Sequence, residues 1–510
     1  MGEFVTYPIP APTGGLNLID RLDAPEGRPM EDARKLSNIY PDGPRCTIRK
    51  GYTLHSTLEA FPVRSMFSLT LMNGTESLIA ANNLKLLNAA SDPETDETGT
   101  TTPTSNDWQG CVFKHRLYLC NGEDTVQVWD GSSVADSTFT GPTLADLINV
   151  SAYKGRLYFV EKESTSIWYG GVGVTGGAAL TEEDLEGAAS TGGSILTRGG
   201  YIVYAGTWTN NIGDVSRNLF IIVTSEGEVL CYNGIYPGDT TTPWGLVARY
   251  AIGKPLGYNA FVEVDNDLWI LTNAGIYPVS MLFSGGSTVA VNGIGRKINP
   301  LIQEYAQAYP FNHLWYGRYW PGGKRVYISI PTGTNEAMYA VCNIETGAWC
   351  TYEFTNDIPC SLAIFGGNPY FGTDSGLVVQ AEDGLDDAGE AISFDMKLPF
   401  SYLGARQQYK VFKEVRPLIR SKRGASFSIG VQTDFQDNDA SGTINSTLGT
   451  YTAWGSSWGS SWSDVTEYIY DWAGVRGQGH SAAIRVQGQM TGVPLEFNHF
   501  DLRYELGGQR

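Results

Sequence analysis

The sequence predicts an all-β protein: a β-propeller of about six to eight blades, an extended N-terminal arm and a C-terminal β-sandwich. Three observations carry this expectation. Phe113–Trp129 (FKHRLYLCNGEDTVQVW) and Tyr153–Gly171 (YKGRLYFVEKESTSIWYGG) repeat one pattern of strand, polar turn and strand, with Leu117 and Leu157 40 residues apart. That spacing is the length of one four-stranded blade. Only 17% of residues are charged, while 61 glycines and 12% aromatics suit short strands joined by tight turns. Beyond Asp383–Gly389 (DGLDDAG) the blade pattern stops and longer alternating strands begin.

Taken in order, residues 1–60 do not read as a blade. Pro8, Pro10 and Pro12 precede Gly14-Gly15-Leu16-Asn17, which reads as an extended arm. The spacing predicts a short helix over Pro29–Ser37 and a strand over Cys46–Leu54. This segment either closes the propeller ring or docks on a neighbouring subunit. The propeller is expected over residues 61–385, with second-strand positions at Leu78, Leu117, Leu157, Leu219, Leu268, Val326 and Tyr370.

The wider gaps place insertions near residues 170–200 and 281–315. Gly170–Gly200, with acidic Glu182-Glu183-Asp184, reads as a loop with one helical turn. A helix is predicted over Asn299–Ala308, with Asn299 as cap and Pro300 at its first position; Leu301, Ile302 and Tyr305 share a face. Residues 386–510 are expected to form the sandwich, with strands over Phe412–Arg420, Ser426–Thr433, Ala483–Gln489 and Glu496–Glu505.

The net charge of -19 disfavours a protein that grips nucleic-acid phosphates over its whole surface. The one dense basic run, Lys410–Lys413 with Arg416–Arg423, is read as a protected strand edge. Seven scattered cysteines without a C-x-x-C pair read as buried free thiols. The sequence shows no charged start followed by an apolar core, and no apolar run long enough to span a membrane. It also lacks H-E-x-x-H and P-loop motifs, and no catalytic, cofactor-binding or metal residue is assigned and no cofactor is expected. Glu161, Glu163, Asp265, Asp267 and Asp374 could supply a paired-carboxylate glycosidase site, or simply cap hairpin turns. Trp454, Trp458 and Trp462, on a Ser/Gly loop, read as a subunit or partner interface.

The order of these features resembles the tail nozzle (hub) proteins of short-tailed bacteriophages, also called packaged-DNA stabilisation proteins. The resemblance lies in Gly14-Gly15-Leu16-Asn17, Arg49-Lys50-Gly51-Tyr52, the Tyr153–Gly171 unit and Gly206-Thr207-Trp208. It continues in Ile298–Tyr305 (INPLIQEY) and in Glu345–Glu353 (ETGAWCTYE). It implies a non-enzymatic virion protein, assembled in the host cytoplasm as a homo-oligomeric ring, with six copies expected, below the portal and adaptor. Such a ring extends the exit channel for double-stranded DNA, helps retain the genome and anchors tail fibres or spikes. On that reading the insertion loops Gly170–Gly200 and Met281–Ile298 are gate candidates. The alternative is a glycan-binding or glycan-degrading propeller of a tail spike or secreted enzyme.

Overall fold

The computed structural model describes residues 4–20, 31–99, 101–186, 195–212, 215–239, 241–242, 244–284, 294–421, 425–446 and 467–507. The chain is nearly all β, 53% strand against 5% helix, with a β-propeller arrangement. It divides into two compact units, residues 54–338 with 354–380, and residues 1–53 with 339–353 and 381–510.

The first unit is the propeller. Among the described residues six sheets are self-contained, five of four strands and one of three, in a six-blade arrangement, and Gly317–Trp320 forms a hairpin with Arg325–Pro331 besides. All seven positions read from the repeat fall on the second strand of a sheet or of that hairpin. The second strands carry continuous apolar runs because each blade is covered on both faces. Thus Leu117 and Leu119 pack with Ile79 and Leu86 of the first sheet. Tyr118 and Cys120, on the opposite face, pack with Leu147, Leu157 and Phe159 of the third. The same alternation continues through the third and fourth sheets and the fourth and fifth. It closes where Ala363, Tyr370 and Val378 of the last sheet meet Met66, Leu78 and Leu87 of the first.

The turns fit the strands they join. Lys154 and Gly155, at φ 45 and 74°, make a two-residue turn of the twist that antiparallel hairpins favour. The outermost strand of the last sheet is N-terminal, Tyr52–Thr57, so the ring is closed by chain from before the first blade.

Among the described residues the second unit holds two large sheets and a short parallel pair, Gly15–Leu16 with Asp32–Ala33. One runs Glu467–Ile469, Lys410–Ser421, Leu495–Leu506, Arg45–Ile48, Ile39–Asp42. Phe4–Pro10 adds to it in antiparallel register, Phe4 opposite Glu505 and Pro10 opposite His499. The other sheet contributes Ala348–Tyr352, Lys35–Ser37, Ile392–Lys397, Ala482–Met490, Ala425–Thr433 and Gly442–Ser446. Phe394 and Phe427 of the second lie 6.3 and 6.1 Å from Phe497 of the first, forming an aromatic layer between them. The burial of Lys410–Ser421 alternates, as one covered face demands.

Four expectations change. Within the segment read as a helix over Pro29–Ser37, Asp32–Ala33 and Lys35–Ser37 are strands. Lys35–Ser37 pairs with Asp395–Lys397, and Leu36 is fully buried, so tertiary pairing overrides a weak local helix preference. The N-terminal arm is an edge strand of the C-terminal unit, where Pro8 and Pro10 are tolerated. Thr181–Asp184, read as loop, is the fourth strand of the third sheet. Asn299 opens the helix Asn299–Ala308 but makes no side-chain cap; Ile298 holds the cap position.

The N-terminal segment is held by one buried cluster. Asn38, in the left-handed region at φ 56°, accepts from Glu353 N–H and Arg49 Nε through its side-chain oxygen, each at 2.9 Å. Its Nδ2 donates to the carbonyls of Glu353 at 2.9 Å and Ser393 at 2.8 Å. Arg49, 3% exposed, forks onto Asp387 at 2.8 and 2.6 Å. Gly51 follows, where a Cβ would sit 1.6 Å from the Asp386 carbonyl oxygen. Replacing Arg49 with methionine leaves the Asp387 carboxylate buried and unpaired, at a cost of about 3–5 kcal/mol. Arg49→Lys recovers only part of this, because an ammonium cannot reproduce the fork. Urea denaturation followed by tryptophan fluorescence measures both, and a loss below about 1 kcal/mol for Arg49→Met contradicts this role.

Candidate functional site

The innermost strands of the propeller converge on an axial chamber of about 560 Å³. Its wall takes residues from Met66–Ser68, Gln109–Val112, Asn149–Ala152, Tyr204, Thr207, Phe261, Glu263 and Gly317–Tyr319. The wall is pinned by its own contacts. Thr207 Oγ1 donates to the Ala152 carbonyl at 2.7 Å, and Tyr204 stacks on Phe261 with ring centroids 4.1 Å apart. Glu263 and Arg318 are its charged members, and the Ser151 hydroxyl is buried without a hydrogen-bond partner.

Next to the chamber lies a vestibule of about 370 Å³, lined partly by loops that precede the innermost strands. Gln109, Tyr258 and Asn259 line both spaces. The Gln109 side chain, at the start of the second sheet, donates to the Asn259 side chain, which precedes the fifth. This amide pair stands at the neck between them.

Arg64, Asp107 and His313 gather beside the vestibule. Arg64 Nε stands 3.7 Å from Asp107 Oδ1, and its guanidinium contacts the His313 ring. Burial drives His313 down to about 4; Asp107 opposes this and Arg64 reinforces it. The imidazole is therefore neutral at neutral pH and offers one donor and one acceptor. Sequence reading missed this cluster because its members lie 43 and 206 residues apart; only the closed ring brings them together.

The residues singled out from sequence fare differently. Trp454, Trp458 and Trp462 lie outside the described residues. The five carboxylates do not converge but serve local structure. Glu161 accepts from Trp168 Nε1 at 3.0 Å, Asp267 from Trp208 Nε1 at 3.1 Å, and Asp374 from the Ile358 amide at 3.0 Å. Glu163 and Asp265 occupy left-handed positions, at φ 53 and 51°. In the basic run, Arg416 pairs with Asp501 at 2.8 Å and Arg420 with Glu496 at 3.3 Å, across adjacent strands. Lys410 is fully buried, donating to the carbonyls of Ala405, Gln408 and His480. All seven cysteines are free, and burial raises Cys46, Cys111 and Cys342 to about 12. Among the described residues no group of three His, Cys, Asp or Glu side chains is placed to hold a metal ion.

Fold and cavity together define a closed β-propeller protein with a polar axial chamber. No family profile and no curated protein matches the chain. Among solved structures, it is similar to the computationally designed Ika8 protein, at 11% identity and TM-score 0.36, over 64% of this chain and 99% of that one. YCF48 from Cyanidioschyzon merolae matches at 13% and 0.38, over 65% and 98%. The extracellular domain of the hybrid two-component system BT4673 from B. thetaiotaomicron matches at 12% and 0.39, over 67% and 41%. Likenesses this distant carry no functional argument.

His313 gives the fold a pH dependence of fixed sign. Its ordinary value is 6.5 and its folded value about 4. Between these the unfolded chain binds a proton that the folded chain does not, so stability is full above pH 6.5 and falls on acidification towards pH 4. The loss is on the order of 2–3 kcal/mol. Melting temperatures of wild type and His313→Gln across this window should diverge, with the flatter profile in the variant; parallel profiles contradict the assignment.

Proposed function

We propose that the chain is a structural subunit of a short-tailed phage tail, a nozzle-like ring component that extends the DNA-exit channel below portal and adaptor. Six copies per ring, assembly in the host cytoplasm and attachment of fibres or spikes are parts of this reading. The observation that supports it is where the resembling segments lie. Gly15 fits against the backbone of Trp349, where a Cβ would come within 2.5 Å of its amide nitrogen. Arg49 and Gly51 fit against residues 386–387. These residues act as fasteners of a β scaffold, which suits an architectural part better than a reactive cleft.

Size constrains the path of the DNA. Each base pair of a duplex fills roughly 1,000 Å³ at a rise of 3.4 Å. The axial chamber, at about 560 Å³, is a pocket of small-molecule size. On this proposal the genome passes between subunits around a common axis, not through any one propeller. The net charge of -19 favours sliding over adhesion if the ring's lumen is acidic, leaving retention to a steric gate. Of the gate candidates, residues 187–194 and 285–293 lie outside the described residues.

Immunogold labelling of negatively stained virions should place the chain on the tail. Light scattering of purified protein mixed with its adaptor should give a ring several-fold above the 55.5 kDa of one chain. A protein that stays monomeric with the adaptor and is absent from virions contradicts the proposal.

A further inference from the structure

We propose that the propeller's vestibule is a binding site for a neutral saccharide of one or two rings. The volume of about 370 Å³ falls at the lower end of the roughly 300–1,000 Å³ typical of small-molecule sites. At its edge stands Phe311, 40% exposed and at φ 52°. A bulky side chain held in the left-handed region persists only where its surroundings impose it. Its ring meets Tyr258 edge-on, with centroids 4.8 Å apart. Two aromatic rings at a polar cavity offer the apolar C–H face of a sugar a surface to lie on.

The polar groups suit the rest of such a ligand. Asp107 lines the cavity with its side chain 40% exposed, so its carboxylate is open to the donors of a ligand. Lys162 Nζ donates to the Gly122 carbonyl at 3.3 Å, and an ammonium carries three donors in all. Hydroxyl groups donate and accept, so a single polyol can serve both residues. Charge selects against anions: of the lining side chains, Asp107 and Glu123 are set against Lys162 alone, and His313 is neutral at neutral pH. A phosphate would meet two carboxylates, and a polyamine would meet the Lys162 ammonium.

The test uses the full chain with glucose, galactose, N-acetylglucosamine, maltose and lactose, read by saturation-transfer NMR and titration calorimetry. At least one sugar should bind saturably at millimolar concentration, and Phe311→Ala and Asp107→Asn should each weaken it at least about fivefold. As a second readout on the unaltered protein, that sugar should slow acylation of Lys162 relative to the other lysines, measured by mass spectrometry. Three results overturn the proposal: no saturation by any of the five, binding unchanged in both variants, or saturation only by phosphate or spermidine. None of them bears on whether the chain forms a ring, so this proposal stands or falls apart from the structural one.

Discussion

The structure depends first on burying a charged pair without leaving it short of partners. Arg49, Asp387 and Asn38 lie within the second unit at 3%, 9% and 1% exposure. A buried guanidinium or carboxylate alone carries a desolvation cost of several kcal/mol. Here the fork onto Asp387 and the contact with Asn38 offset it. Asn38 in turn uses every polar atom: its amide donates to Thr351, its carbonyl accepts from Arg49, and its side chain joins residues 353 and 393. Segments hundreds of residues apart are thereby held in one register.

That fastening explains a topology that otherwise looks wasteful. The strand Tyr52–Thr57 completes the last blade, so the ends of the propeller's chain are tied by a sheet instead of left as free edges. Just upstream, Arg49 and Gly51 lock against residues 386–387. The Tyr52 carbonyl accepts from Ala388 at 3.0 Å. The blades themselves need no such device, since each is held by apolar contact on both faces.

The propeller was largely legible because its signal is local and repeated. Each second strand is a short apolar run beside a turn, and Leu78 through Tyr370 mark all seven. The N-terminal segment was not legible in the same way. Residues 31–37 have modest helix preference, but Leu36 finds its place only between strands drawn from residues 348–352 and 392–397. No window of the sequence around it carries that information. The vestibule was illegible for the same reason: Asp107, Tyr258 and His313 belong to separate connections, and ring closure alone makes them neighbours. Turn carboxylates, conversely, look chemical in sequence because Asp and Glu recur at hairpins. Asp267 shows what they do, fastening Trp208 and Ser280.

The central claim is that residues 32–53 are an integral clasp of the second unit and not a mobile arm. Amide hydrogen exchange of the intact protein tests it most directly, because exchange reports the free energy of opening segment by segment. Peptides covering residues 35–52, 348–353 and 386–396 should be among the slowest to exchange and should lose protection together in rising denaturant. Full exchange of 35–52 while the other two remain protected would contradict the account.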